Sequence, residues 1–203
     1  GSIGSGGCIF CSAGGSGDFA GNRGNGITEQ IESGKALVAA KMKGQEGKYI
    51  AYFQAFTNTY APVEVLKERY MEAISHKDIV ALSIATRPDC LEEDVIKLID
   101  EINRIKPVWV ELGLQTIHED TALLINRGYS LDVYVDAVKR LMKTGVHIVT
   151  HVILGLPGEN RARMLETVRF VSNLSTRLIE EACDSNDTKG SAGNMLTERV
   201  NEG

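Results

Sequence analysis

The chain lacks any apolar run approaching the roughly 20 residues of a membrane-spanning helix, and no signal-peptide pattern stands at its start. It has no excess of positive charge. The formal net charge is −5, which leaves no global attraction for nucleic acid or an anionic bilayer. No basic patch interleaved with aromatic residues argues for RNA. Cysteine is scarce: Cys8, Cys11, Cys90 and Cys183 have neither the density nor the spacing of a secreted disulfide framework. Internal repeats and long low-complexity tracts are also missing. A protein of the reducing cytoplasm, with no membrane partner, fits these absences.

What is present suits an ordinary globular domain. The 203 residues are 43 % apolar and 24 % charged, enough for one domain with a sizeable core. Residues 1–26 are glycine-rich, nearly free of apolar periodicity, and read as a loop. Ile27, Ile31, Val38 and Met42 then recur at helical spacing, with Thr28 near the start. Lys48 to Phe56 is a short β-rich run. Pro62 opens a helix at its first position, where a missing N–H costs nothing; Val65, Leu66, Tyr70, Ala73 and Ile74 form its apolar face. Strand-like runs follow at Asp78 to Ala85, Val108 to Leu114 and Val146 to Leu154. Leu91, Val95, Leu98, Ile99 and Ile102 mark a helix between the first two of these. Leu131, Tyr134, Val135, Val138, Leu141 and Met142 mark another, with Ser130 as N-cap and Gly145 past its end. Met164, Leu165, Val168 and Val171 begin a last one.

Strands alternating with amphipathic helices at about 30-residue intervals predict βαβ units, right-handed crossovers and a parallel sheet. Ile79-Val80-Ala81-Leu82 and Val152-Ile153-Leu154 are apolar throughout, which predicts cover on both faces. Four strands do not close an eight-stranded barrel, so an α/β open sheet or partial barrel is expected. Asp184 to Ser191 is polar and turn-rich, and poor order is expected there. Met195 to Glu202 offers at most a loose helical turn.

Ligands of parallel sheets bind beyond the carboxyl ends of the strands. Those ends read Phe56-Thr57-Asn58-Thr59-Tyr60, Ser83-Ile84-Ala85-Thr86-Arg87-Pro88-Asp89, Glu111-Leu112-Gly113-Leu114-Gln115-Thr116 and Gly155-Leu156-Pro157-Gly158-Glu159. All are polar or glycine-rich and point to one rim. Ahead of them stands Gly6-Gly7-Cys8-Ile9-Phe10-Cys11-Ser12. Two thiolates at that spacing on a tight turn can grip one metal or one cluster iron. A zinc knuckle or a redox pair uses the same spacing.

Together, in this order, these segments resemble the radical S-adenosylmethionine (radical SAM) enzymes. The subgroup they resemble most is the bacterial YhcC-like one, related to the elongator-type radical SAM domain. The resemblance runs from about Gly4 to Leu174, and Asn126-Arg127-Gly128 belongs to it. It implies a partial (β/α) barrel with parallel strands and outer helices. It also implies a [4Fe–4S] cluster on three cysteines, with Cys8 and Cys11 as two of them. The cluster's open iron takes the amino and carboxylate groups of SAM, and reductive cleavage gives methionine and a 5′-deoxyadenosyl radical. Thr57, Asn58 and Thr59 stand where the superfamily receives the SAM amino group, largely through backbone. Ser83 and Arg87 are placed for the SAM carboxylate, Glu111 and Gln115 for the ligand and its ribose, and Gly155 and Gly158 for close approach to adenine. A reductant such as flavodoxin or ferredoxin is implied. The substrate is open, with RNA, proteins and small molecules all used by relatives.

Each of these residues has a plainer role beside the functional one. Thr57 to Thr59 can cap a turn before the Pro62 helix. Arg87 can pair with Asp89. Glu111, inside an apolar strand, needs a partner of some kind. Gln115 can make a loop hydrogen bond, Gly155 and Gly158 a strand-to-helix turn, and Asn126-Arg127-Gly128 a helix stop. His76, His118, His147 and His151 lack metal-ligand spacing, and only His151 is placed near a cavity.

Two departures from the family are expected to matter. Its third cluster cysteine and first strand are expected upstream of Gly1, so the chain reads as shortened at its N-terminus. After Leu174 the sequence no longer follows the family, and its last strand is not recognisable. Cys90, at a helix start across the sheet, is a poor third ligand, and Cys183 lies in the divergent tail. The expected organisation is a cluster-binding loop over residues 1–26, a core over 27–174 and a poorly ordered tail over 175–203. With two anchors, residues 1–203 are expected to be a weak enzyme. The alternatives are a non-catalytic α/β fragment without a stable cluster, or a zinc-binding interaction module.

Overall fold

The computed structural model describes residues 7–11, 20–22, 24–39, 41, 47–54 and 56–187. Gly6, Ser12, Met42, Ala55 and the segment 188–203, with its expected turn at Met195 to Glu202, lie outside the described residues, as does the side chain of Cys183.

Four β-rich runs form β1 (Tyr49–Phe53), β2 (Ile79–Thr86), β3 (Val108–Gln115) and β4 (His147–Val152). They lie side by side in chain order and all pairs are parallel. Each link therefore crosses over through helix: α2 (Val63–Ser75), α3 (Glu93–Asn103), then α4 (Glu119–Leu124) with α5 (Leu131–Met142). Before and after these come α1 (Ile27–Ala39) and α6 (Arg161–Asp187). A parallel sheet whose order never reverses, wound with one hand, collects its helices on one face. This is an arc of a (β/α) barrel.

The side-chain period of two shows which face is covered. Leu82 and Ile84 of β2 and Val108, Val110, Leu112 and Leu114 of β3 are fully buried. With Leu66 and Tyr70 of α2, Ile99 of α3 and Leu141 of α5 they form one core. Each such side chain contributes about 1.5–3 kcal/mol by leaving water. The intervening residues look the other way. Ile50 is 41 % exposed, Tyr52 45 %, Trp109 37 % and Val149 37 %. The expected cover on both faces is thus corrected: the helices cover one face, and the other is open. Val80, which shares the covered side with Leu82 and Ile84, is nonetheless 44 % exposed near the start of β2.

Smaller corrections have local causes. Pro62 is the N-cap of α2 rather than its first helical residue; its ψ of 139° is extended, and its carbonyl accepts the first helical bonds from Val65 and Leu66. Ser130 holds the N-cap position of α5 without a side-chain cap bond; the Glu119 carboxylate accepts the Leu131 N–H instead, at 2.6 Å. The helix α4 has no counterpart in the sequence pattern, because six residues carry too little periodicity to register. The last helix, α6, runs on past Asp184 to Asp187.

Candidate functional site

The turn after β1 is held by its own side chains. Phe56 takes a left-handed φ of 59°. Asn58 Nδ2 donates to Phe53 O at 2.8 Å and to Ala85 O at 3.0 Å, stitching β1 to β2. Its carbonyl accepts the Tyr70 hydroxyl at 2.7 Å. The buried Thr59 hydroxyl donates to Cys90 O at 2.6 Å and lies 2.5 Å from Thr86 Oγ1. Asn58 and Thr59 are thus committed to the scaffold, and what this turn, Thr57 included, offers a ligand is chiefly backbone.

Glu111 projects from β3 onto the open face, where its carboxylate collects three donors. Ser83 donates to Oε1; Tyr52 donates to Oε2 at 2.9 Å, and His151 Nε2 lies 2.7 Å from the same oxygen. Register explains the gathering, because parallel pairing sets Tyr52, Ser83, Glu111 and His151 at the same facing parity on four adjacent strands. Burial works against the charged carboxylate. The bonds from Ser83, His151 and Tyr52 outweigh it, and Glu111 is held below the usual carboxylate range. Tyr52 moves the other way, pushed up to about 12 by burial and by the carboxylate it donates to.

A carboxylate with a depressed folded-state value contributes stability above its unfolded value of about 4.5 and loses it as pH falls through the folded one. Wild type is therefore expected to exceed Glu111→Gln in urea midpoint at neutral pH, with the gap closing as pH drops through about 4.5 and below. A gap independent of pH would show that the four groups do not act through the carboxylate's charge.

Arg87 does pair with Asp89, in a two-pronged contact of 2.9 and 2.8 Å, and its guanidinium lies 5.1 Å from the centre of the Tyr129 ring. Gln115 ends β3 with a left-handed φ of 67°, where the register with β4 shifts. Its amide folds back over Gly113: a Cβ on that glycine would lie 2.6 Å from Gln115 Nε2. Gly155 and Gly158 take φ of 86° and 83° with open space where a Cβ would stand. Backbone conformation, not crowding, calls for glycine at both. The turn they make is tied back to β3 by Thr116 Oγ1 donating to the Glu159 carboxylate.

The cysteine turn is closed by Cys11 N–H donating to Cys8 O at 3.0 Å. Cys11 is exposed and Cys8 half-buried. Burial pushes the Cys8 thiol up and the neighbouring Cys11 adds to this, while Arg87 pulls the other way. The pair suits a thiophilic metal in kind and falls short of three in number. Among the described residues no third His, Cys, Asp or Glu atom forms a tight set with them. Cys90 is buried in a 3₁₀ turn after β2, 3.8 Å from Asp89 Oδ1. One ligand-like trio does exist, Glu32, His76 and Asp78. It stands at the opposite end of the sheet, and the Lys35 ammonium already bridges its carboxylates at 2.9 and 2.8 Å.

Of the histidines, His151 joins the Glu111 group, whereas His118 bonds to Arg163 O at 3.0 Å and His76 to Glu32 at 2.7 Å. Nothing in the local sequence marks Tyr52 or Arg127 as a site residue. A period-two count along β1 places Tyr52 on the face opposite Phe53, but only the sheet register brings it to Glu111.

Comparison with known proteins agrees with this geometry. The family model described as the radical SAM superfamily matches residues 3–171. The uncharacterized protein YtqA of Bacillus subtilis is 51 % identical over 180 residues, covering 89 % of this chain and 55 % of the relative. The protein YhcC of Escherichia coli is 40 % identical over 172 residues, covering 84 % and 54 %. A solved structure of the archaeal Methanocaldococcus infernus Elp3 superimposes with a TM-score of 0.59 at 21 % identity, over 71 % of this chain and 38 % of that one. The chain therefore belongs to the radical SAM superfamily, in its YhcC- and elongator-like part. It spans about half the length of the curated relatives it matches.

Proposed function

We propose that this chain is the core of a radical SAM enzyme in which Cys8 and Cys11 bind two irons of a [4Fe–4S] cluster. One observation carries the reading: the thiol turn docks on the loop that follows α4, Ile9 N–H to Ile125 O at 3.1 Å, and Arg127 of that loop bonds to the carboxyl end of β3. When bound, the cluster supplies the electron that splits SAM into methionine and a 5′-deoxyadenosyl radical. The chain's own part is to hold the ligand, orient it and keep water away. The backbone of Thr57 to Thr59 receives the amino group, and Ser83 and Gln115 offer hydrogen bonds to carboxylate and ribose. Glu111, kept ionised, accepts from a ribose hydroxyl. Arg87 serves the SAM carboxylate only by sharing its guanidinium with Asp89. Gly155 and Gly158 leave room for adenine.

In this reading residues 1–26 form the cluster-binding loop, 27–174 the core and 175–203 a divergent tail whose first residues continue α6; a flavodoxin or ferredoxin is the reductant, and the compartment is a reducing cytoplasm. No described helix is long and apolar enough to cross a membrane. The third thiolate comes from outside the described residues. Anaerobic reconstitution of residues 1–203 with iron and sulfide is expected to give an oxygen-sensitive, substoichiometric iron species, and little 5′-deoxyadenosine from SAM and dithionite. Adding an upstream cysteine segment from a relative is expected to raise both. Stoichiometric zinc with no iron uptake under either condition would make the chain a zinc module.

A further inference from the structure

We propose that the loop Ile125–Tyr129 is a built platform that positions the cysteine turn, with Asn126 holding the turn and Arg127 holding the platform. The metal role of the thiols rests on the function proposed above; the positioning itself does not.

A bracket straddles Cys8. On one side Asn126 Nδ2 donates to Gly7 O at 3.1 Å across 119 positions of sequence. On the other, Ile9 N–H donates to Ile125 O at 3.1 Å. Both platform groups come from consecutive residues, and a left-handed bend between them, φ 56° at Asn126, accompanies the placement. Asparagine tolerates that conformation where most residues do not.

The platform is bolted to the sheet by Arg127, which is fully buried. Its Nη1 donates to Thr116 O at 2.6 Å and Leu114 O at 3.2 Å, its Nε to Tyr129 O at 2.8 Å, and its Nη2 to Glu119 at 3.1 Å. Tyr129 adds its hydroxyl to Gly113 O. Gly128, at φ 84°, lies over Arg87; a Cβ there would sit 3.2 Å from Arg87 Nη2. Cys8 is thus referenced to the carboxyl ends of β3 and β2 at once. A simple helix stop explains the bends at Asn126 and Gly128. It explains neither a buried guanidinium with four partners nor a side chain spent on residue 7. A platform explains both, because thiolates set loosely against a rim cannot hold a metal at a fixed distance from whatever the rim binds.

Asn126→Gly is the clean test. Glycine keeps the left-handed φ without strain and removes the side chain that donates to Gly7 O. Two native-state rates are read on the whole chain: iodoacetamide alkylation of Cys8 by mass spectrometry, and hydrogen–deuterium exchange at the Ile9 amide. Cys90, being buried, reports global opening. One lost hydrogen bond corresponds to about a fivefold shift in a local opening equilibrium, so both rates are expected to rise about fivefold. Cys90 alkylation and the thermal midpoint should stay at wild type. Unchanged rates at Cys8 and Ile9 would overturn the platform. So would a parallel rise at Cys90, since the effect would then be global. Iron uptake is scored separately. Faster rates in a protein whose wild type takes up no iron would keep the platform and reject the metal reading.

Discussion

Replacing either Cys8 or Cys11 by alanine is expected to abolish cysteine-bound iron, while Cys90→Ala leaves the wild-type amount. Each of the first two removes half of the thiolate set the described residues offer, and a single thiolate on an open turn has no chelate partner. Cys90 is a different kind of cysteine. Its thiol is buried and raised by that burial, and its carbonyl is taken by Thr59, so it serves the junction of β1 and β2. Iron per chain and absorbance after anaerobic reconstitution decide the matter. Unchanged iron in Cys8→Ala or Cys11→Ala would remove this turn from the candidate site. A loss in Cys90→Ala would show that the ligand set has been misassigned.

Arg127→Met is expected to lower unfolding free energy by about 3–5 kcal/mol. Methionine fills comparable space but leaves the carbonyls of Leu114, Thr116 and Tyr129 without the donors that now reach them, each such loss costing about 1–3 kcal/mol before relaxation. The contrast is Arg104→Ala. Arg104 pairs with Asp100 four residues back and is 76 % exposed, and a surface pair of that kind contributes about 0.3–0.5 kcal/mol. Urea denaturation of both variants separates them. An Arg127→Met loss no larger than the Arg104→Ala loss would mean that water satisfies those carbonyls, and Arg127 would no longer anchor the loop.

How much was legible depends on the range of the interaction involved. The strand run Val108 to Leu114 and the helix from Leu131 to Met142 announce themselves because their patterns are local, and both recur in the structure within a residue or two. Val80 shows the limit. An apolar residue in an apolar run looks like core, yet it lies 44 % exposed, since cover depends on where helices land and not on the strand. Glu111 shows the same limit from the other side. Its need for a partner follows from its strand. That Tyr52, Ser83 and His151 all meet that need follows only from three parallel registers.

The amino-acid sequence by itself determined the alternation of strand and helix, the parallel sheet and the rim-facing strand ends. It also carries the cysteine spacing that marks the superfamily. These are written in periods of two and 3.6 and in neighbours along the chain, which act before any long-range contact forms. Tertiary structure alone decided that one sheet face stays open and that Asn58 and Thr59 are consumed by the scaffold. It also decided that residue 126 reaches residue 7. Each of those outcomes joins groups far apart in sequence. For Thr59, buried between Thr86 and Cys90, the selection is a buried polar group's need for a partner, which no local pattern specifies.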